Sequence, residues 1–123
     1  IQKIINVNKI NDHINLVGYQ KNPYIWFNKA DIFVLSSRYE GFPNVVLEAM
    51  YCGLPILANN CPGGINELII SGFNGEIMNI NSNFSIILNK IIKNNYDSEK
   101  IRDFVEKKYS MKKKIQEFEQ LLE

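Results

Sequence analysis

Apolar residues fall along this chain in short bursts of two kinds, and the stretches between them are rich in Gly, Pro, Asn and Ser. Four bursts, His13–Val17, Asp31–Leu35, Leu54–Ala58 and Gly75–Met78, are compact runs bounded by turn-forming residues and read as strands. Between them the spacing is helical. Asn22-Pro23 is an N-cap with Pro at the first helical position, which predicts a short helix through Lys29. A second helix is expected from Pro43 to Cys52, stopped by Gly53 and Pro55, and a third from Gly63 to Ile70, stopped by Ser71-Gly72. Ser82 and Ser98 are the expected caps of helices running to Lys93 and Tyr109, and Ser110 starts a last one to Leu122. Strands alternating with helices predict an α/β fold, a parallel sheet with flanking crossover helices.

Composition narrows the class. With 123 residues, Lys+Arg 14 against Asp+Glu 13 and 46% hydrophobic residues, the chain suits one globular domain with a real core. A formal charge of +1 provides no broad basic surface for a nucleic-acid backbone, so nucleic acid is not an expected partner. No apolar run approaches the roughly 20 residues of a membrane span, and the start of the chain is not built like a signal peptide, so the expected location is the cytoplasm. Cys52 and Cys61 cannot form a disulfide framework and read as inert thiols; with His13 the single histidine, no metal site is expected.

Charge is uneven. Residues 98–123 hold seven basic and six acidic side chains, leaving seven of each for the first 97. In that sparsely charged body, Glu40 and Glu48 flank the apolar stretch GFPNVVL, where an unpaired carboxylate would be costly to bury. In parallel α/β sheets ligands bind beyond the carboxyl ends of the strands, which directs attention to Gly18–Asn22, Ser36–Asn44 and Asn59–Gly64. Taken alone, Pro62-Gly63-Gly64 also suits an ordinary turn. In the middle segment a strand ends, a loop carries Glu40, and a helix begins near Pro43 with free N–H groups expected from Asn44 onward. Such a helix end seats phosphate, because unpaired N–H groups and the positive end of the dipole both favour an anion. Glu48 follows Asn44 on the same face, about 6 Å along the axis, where a carboxylate could accept hydrogen bonds from a ribose diol. From spacing alone, Glu48 equally suits a helix surface paired with a lysine.

The segments SSRYEGFPNVVLEAM, YCGLPILANNCPGGINELI and SGFNGEI resemble the donor-binding domain of retaining GT-B glycosyltransferases, family 4. The hallmark is two glutamates with seven residues between them, matched by Glu40 and Glu48. The resemblance extends to Leu16–Gln20 and Asn22-Pro23, and covers about residues 14–80. It implies a Rossmann-like sheet in which Glu48 binds the ribose of a UDP- or GDP-sugar and the backbone at Asn44 and Val45 holds the diphosphate. Glu40, with Gly41, Phe42 and Pro43, would meet the donor sugar near its anomeric centre as the catalytic carboxylate, and Tyr19 and Gln20 would lie near the base. Transfer would retain anomeric configuration by front-face attack, with no cofactor and no metal. Two positions depart from the pattern: Ile65 stands where Pro is usual, and Asn59-Asn60 where Thr-Asp is common.

Family members also have an N-terminal Rossmann-like domain, and a Gly-rich strand with an Arg and a Lys that offset the diphosphate charge. These are not found here, so the chain is expected to be an inactive fragment, with residues 1–97 a partial nucleotide-sugar-binding domain. Residues 98–123 would be C-terminal helices that pack across to the missing N-terminal domain. The stripe Ile115, Phe118, Leu121 and Leu122 is a candidate for self-association, and Lys112-Lys113-Lys114 for peripheral contact with the inner face of the membrane. A non-catalytic nucleotide-sugar-binding module is the alternative. A phosphorelay receiver is excluded by the lack of an acidic cluster at the strand ends, where Asp12 stands alone.

Overall fold

Three short runs, FVL, ILAN and GEIM, form a parallel sheet in the computed structural model, which describes residues 1–79 and 81–109. Strands β1 (Phe33–Leu35), β2 (Ile56–Asn59) and β3 (Gly75–Met78) lie in sequence order, with Phe33 opposite Ile56 and Ile56 opposite Gly75. Parallel neighbours require crossovers, and helices supply them: β1 returns to β2 through α3 (Asn44–Tyr51), and β2 to β3 through α4 (Ile65–Leu68). Two helices precede the sheet, α1 (Gln2–Val7) and α2 (Tyr24–Phe27), and two follow it, α5 (Phe84–Lys93) and α6 (Ser98–Tyr109). This is the α/β architecture that the alternating pattern predicts. All of β2 is buried, as a central parallel strand must be.

The core gathers one face of α3 (Val46, Ala49, Met50), β2, α4 (Ile65, Leu68) and α6 (Ile101, Val105). Helix α3 stops where Gly53 turns with φ +82, a left-handed angle that favours glycine. Glu76 on β3 is a charge in this interior, 5% exposed and fully partnered. Its carboxylate accepts from Ser71 Oγ (2.6 Å) and Gly72 N–H (3.1 Å) and pairs with Lys90 Nζ at 2.8 Å, which fastens α5 to the sheet. Among the described residues no helix is long and apolar enough to cross a membrane.

Several expectations are corrected. His13–Val17 is not a strand: Asn11–His13 is a single 3-10 turn, and the extended residues after it pair with no strand among those described, leaving Leu16 and Val17 partly exposed. Strand formation needs a partner as well as an apolar run. The N-terminal helix α1 was not foreseen, because Asn and Lys break up its apolar spacing. Asn22 does cap α2, accepting the Tyr24 N–H at 3.1 Å. The later caps fall one residue from the serines expected: Asn83 accepts from Ile86 N–H, and Asp97 accepts from Glu99 and Lys100 N–H at 3.1 Å each. A short carboxylate or amide reaches these donors as well as a hydroxyl does. The helix expected over 110–122, with its apolar stripe and its lysine run, lies outside the described residues.

Candidate functional site

The loop from Ser36 to Pro43 leaves the carboxyl end of β1 and delivers the chain to α3, and a second loop holds it from beneath. Glu40 N–H donates to Pro62 C=O (3.2 Å), Gly64 N–H to Gly41 C=O (2.9 Å), and Asn59 Nδ2 to Ser37 C=O (3.2 Å). Gly63 sits at φ +124, and any β-carbon there would overlap the Glu40 carbonyl oxygen. A β-carbon on Gly64 would come within 3.0 Å of the Phe42 ring. The Pro62-Gly63-Gly64 segment is therefore a bed on which the Glu40–Phe42 backbone rests, and the approach at Gly63 exists only because that residue lacks a side chain. Glu40 itself is half-buried, and Ser37 Oγ donates to its Oε1 at 2.5 Å, fixing one carboxylate oxygen.

Where α3 begins, the backbone departs from the expected pattern. Pro43 has φ −80 and ψ 79 and stands outside the helix, and Asn44 N–H turns back to Phe42 C=O at 2.9 Å. Asn44 thus has no free N–H to offer. Val46 N–H is taken by Pro43 C=O, which leaves the Val45 N–H without an acceptor among the described residues. Glu48 is half-buried one turn further on and shares its stripe with Asn44 and Cys52. Tyr24 of α2 lies close to this stripe. Burial, followed by the charge of Glu48, raises its hydroxyl pKa above the ordinary value.

The carboxyl ends of all three strands also carry a hollow, which neither glutamate lines. Its volume is about 300 Å³, and Ser36, Arg38, Asn59, Met78 and Asn79 are among the residues around it. A larger one of about 690 Å³ lies at the opposite end, by Asp31, Pro55 and Tyr96, away from both glutamates. The smaller hollow is where a parallel α/β sheet receives its ligand, and Arg38 brings a positive charge to it.

Residues 1–111 match the family described as glycosyl transferases group 1. The chain belongs to this family. An uncharacterized glycosyltransferase of Methanocaldococcus jannaschii is 35% identical over 74 residues, which are 60% of this chain and 18% of that protein. The apo form of a lipopolysaccharide outer core galactosyltransferase superposes with a TM-score of 0.79 at 27% identity, over 89% of this chain and 33% of that one. HepE of Anabaena, in complex with UDP and glucose, superposes at 0.85 with 20% identity, over 98% of this chain and 35% of that one. The chain thus spans about a third of the solved structures that it matches.

Within this group 1 glycosyltransferase chain, Glu40, Gly41, Phe42, Pro43, Asn44, Val45 and Glu48 form one continuous loop and helix start. Tyr19 is 92% exposed, Gln20 Nε2 folds back onto Val17 C=O (2.6 Å), and among the described residues neither hydrogen-bonds the 40–48 segment. Cys61 is buried. Cys52 has its thiol pKa raised, chiefly by burial and further by Glu48, with Arg102 partly opposing, so it stays protonated at neutral pH. Two features escaped the sequence reading: the Ser37–Glu40 hydrogen bond and the bed beneath the loop. Ser37 lies three residues before Glu40, a local signal that could have been read; Gly63 lies 23 residues away, and only the fold brings it close.

Proposed function

We propose that this chain is the donor-binding part of a retaining glycosyltransferase of family 4. The enzyme would move a hexose or hexosamine from a UDP- or GDP-sugar to a glycan or lipid-linked acceptor. What carries this function is the arrangement at the start of α3: two half-buried carboxylates, Glu40 and Glu48, with the Val45 N–H, unpaired among the described residues, between them. An anion at that N–H is favoured by the helix dipole and by the missing acceptor. Glu48, an acceptor-only group, suits a ribose diol. Glu40 would face the sugar near its anomeric carbon, where a negative group favours the positive charge that develops as the bond to diphosphate breaks. The backbone at Gly41, Phe42 and Pro43 would complete the donor seat.

Membership in the family and the likeness to HepE, solved with UDP and glucose, support a nucleotide-sugar donor. The galactosyltransferase of the lipopolysaccharide outer core supports a glycan or lipid-linked acceptor. Since about two thirds of the matched structures have no counterpart here, acceptor binding would come from an N-terminal domain. The chain alone would then bind donor without transferring sugar. The enzyme would work in the cytoplasm, at the inner face of the membrane, and no resident metal or cofactor is assigned to it.

Calorimetric titration of the chain and of Glu48→Ala against UDP, GDP and their sugars tests this function. Binding by the chain that weakens in the variant is expected. Equal affinities would remove the ribose role, and sugar transfer by the chain alone would refute the division of labour.

A further inference from the structure

Tyr109, at the end of α6, is 67 residues from Phe42 in sequence, yet their ring centroids lie 6.2 Å apart at an inclination of 53°. Gly64 lies close to the same Phe42 ring, so Phe42 has a backbone neighbour and an aromatic one. Tyr109 is itself held firmly. Its ring meets Phe104 at 6.1 Å, Phe104 meets Phe73 at 5.6 Å, and Lys108 Nζ lies 5.3 Å above both the Phe104 and Tyr109 rings. Its hydroxyl reaches only 3.5 Å toward Glu67 C=O, a long bond, so the ring rather than the hydroxyl makes the contact. A file of rings thus runs from the turn before β3 to the loop that carries Glu40.

The loop needs such a support. Tyr39, Gly41 and Phe42 are all exposed, Gly41 has open space around it, and few side chains restrain the segment. A glycine-containing loop has much conformational entropy to lose, and a ligand that must order it binds more weakly than one that finds it ordered. Tyrosine is suited to the task, since it offers a large rigid surface with few rotatable bonds.

We propose that Tyr109 is a positioning residue that holds the Gly41–Phe42 backbone, and with it Glu40 and the start of α3, in the shape that receives the donor. The ligand's identity rests on the function proposed above; the mechanical coupling does not. Two readouts on the whole chain separate them. The first, free of ligand, is amide hydrogen exchange at Gly64, whose N–H bonds to Gly41 C=O. The second is the affinity for UDP-glucose and GDP-mannose by calorimetry.

Tyr109→Ala is expected to raise Gly64 exchange about tenfold, the equilibrium factor of a good aromatic contact. Tyr109→Phe is expected to stay within about twofold of the parent, because the ring is kept. Phe73→Leu, which disturbs the far end of the file, should lower the unfolding temperature and leave Gly64 exchange under native conditions unchanged. Should Tyr109→Ala fail to fold, Tyr109→Leu takes its place in the same comparison. Gly64 exchange that is unchanged in the Ala or Leu variant, or that rises equally in Phe73→Leu, overturns the positioning role. If Gly64 responds as expected and neither nucleotide sugar binds the parent, the positioning role stands and the proposed donor site falls. If the parent binds donor with unchanged affinity in a variant whose Gly64 has opened, the link from Tyr109 to the donor seat is overturned.

Discussion

Gly63 and Glu40 are packed backbone to backbone, with the α-carbon of one so close to the carbonyl of the other that no side chain fits between them. The contact joins the loop after β2 to the loop after β1 and sets the height of the candidate donor seat. Gly63→Ala should therefore act twice, by forcing φ +124 on an L-residue and by displacing the Glu40 carbonyl. A loss on the order of 1–3 kcal/mol in unfolding free energy is expected from strain of this kind, measured by denaturant titration. Donor binding should fall with it in the folded fraction.

Glu48→Ala is expected to leave stability within about 0.5 kcal/mol of the parent, since a half-buried side chain with no ion pair among the described residues gives up little. Its effect belongs to the ligand. Loss of hydrogen bonds from a charged acceptor should weaken nucleotide-sugar binding about 10- to 100-fold, read by calorimetry. An affinity loss that appears only together with a lowered unfolding temperature would point to damage elsewhere.

Acid should unfold the protein partly through Glu76. Burial alone would raise this carboxyl, but Lys90, Ser71 and the Gly72 N–H together hold it below the ordinary value of 4.5. A carboxyl with a depressed native pKa contributes stability that is complete above the unfolded value and is lost as pH falls through the native one. The contribution should thus be full above about pH 5 and disappear below pH 4.5 toward the lower native pKa. Glu76→Gln should flatten the fall in stability across that acid range and lower the unfolding temperature at neutral pH, as followed by circular dichroism.

Arg102 has two measurable roles. Its Nε donates to Tyr51 C=O at 3.0 Å, closing the carboxyl end of α3, and its charge restrains the rise in the Cys52 pKa. Arg102→Ala should cost about 1 kcal/mol through the lost helix-end hydrogen bond. It should also move the pH dependence of Cys52 alkylation to higher pH. An unmoved alkylation profile would count against any electrostatic link between the two residues.

The sequence was most informative where a local rule decides the structure. The apolar block Val45–Met50 with Gly53 behind it specifies α3, and the run after Gly75 specifies β3. Glu40 and Glu48 could be singled out because charges are scarce near them and the surrounding motif is distinctive. Outcomes that depend on distant partners were not legible. Ile14–Val17 has the composition of a strand but pairs with none among the described residues, and the Pro43 backbone angle follows from the loop it ends. From the sequence Tyr109 is only the expected end of a helix, because nothing between positions 42 and 109 announces that they meet.

Helices α3 and α6 run side by side in opposite directions, with Arg102 at the finish of α3 and Tyr109 by its approach. Arg102 and Tyr109 are seven residues apart, about 10.5 Å of helix, which nearly equals the length of α3. Helix α6 thus works as a ruler. One residue inserted between its two marks would turn the second by about 100° and advance it 1.5 Å, so that both could not be met together. Length in this stretch is consequently tightly constrained, while an exposed position that supports neither mark, such as Glu106, can change freely.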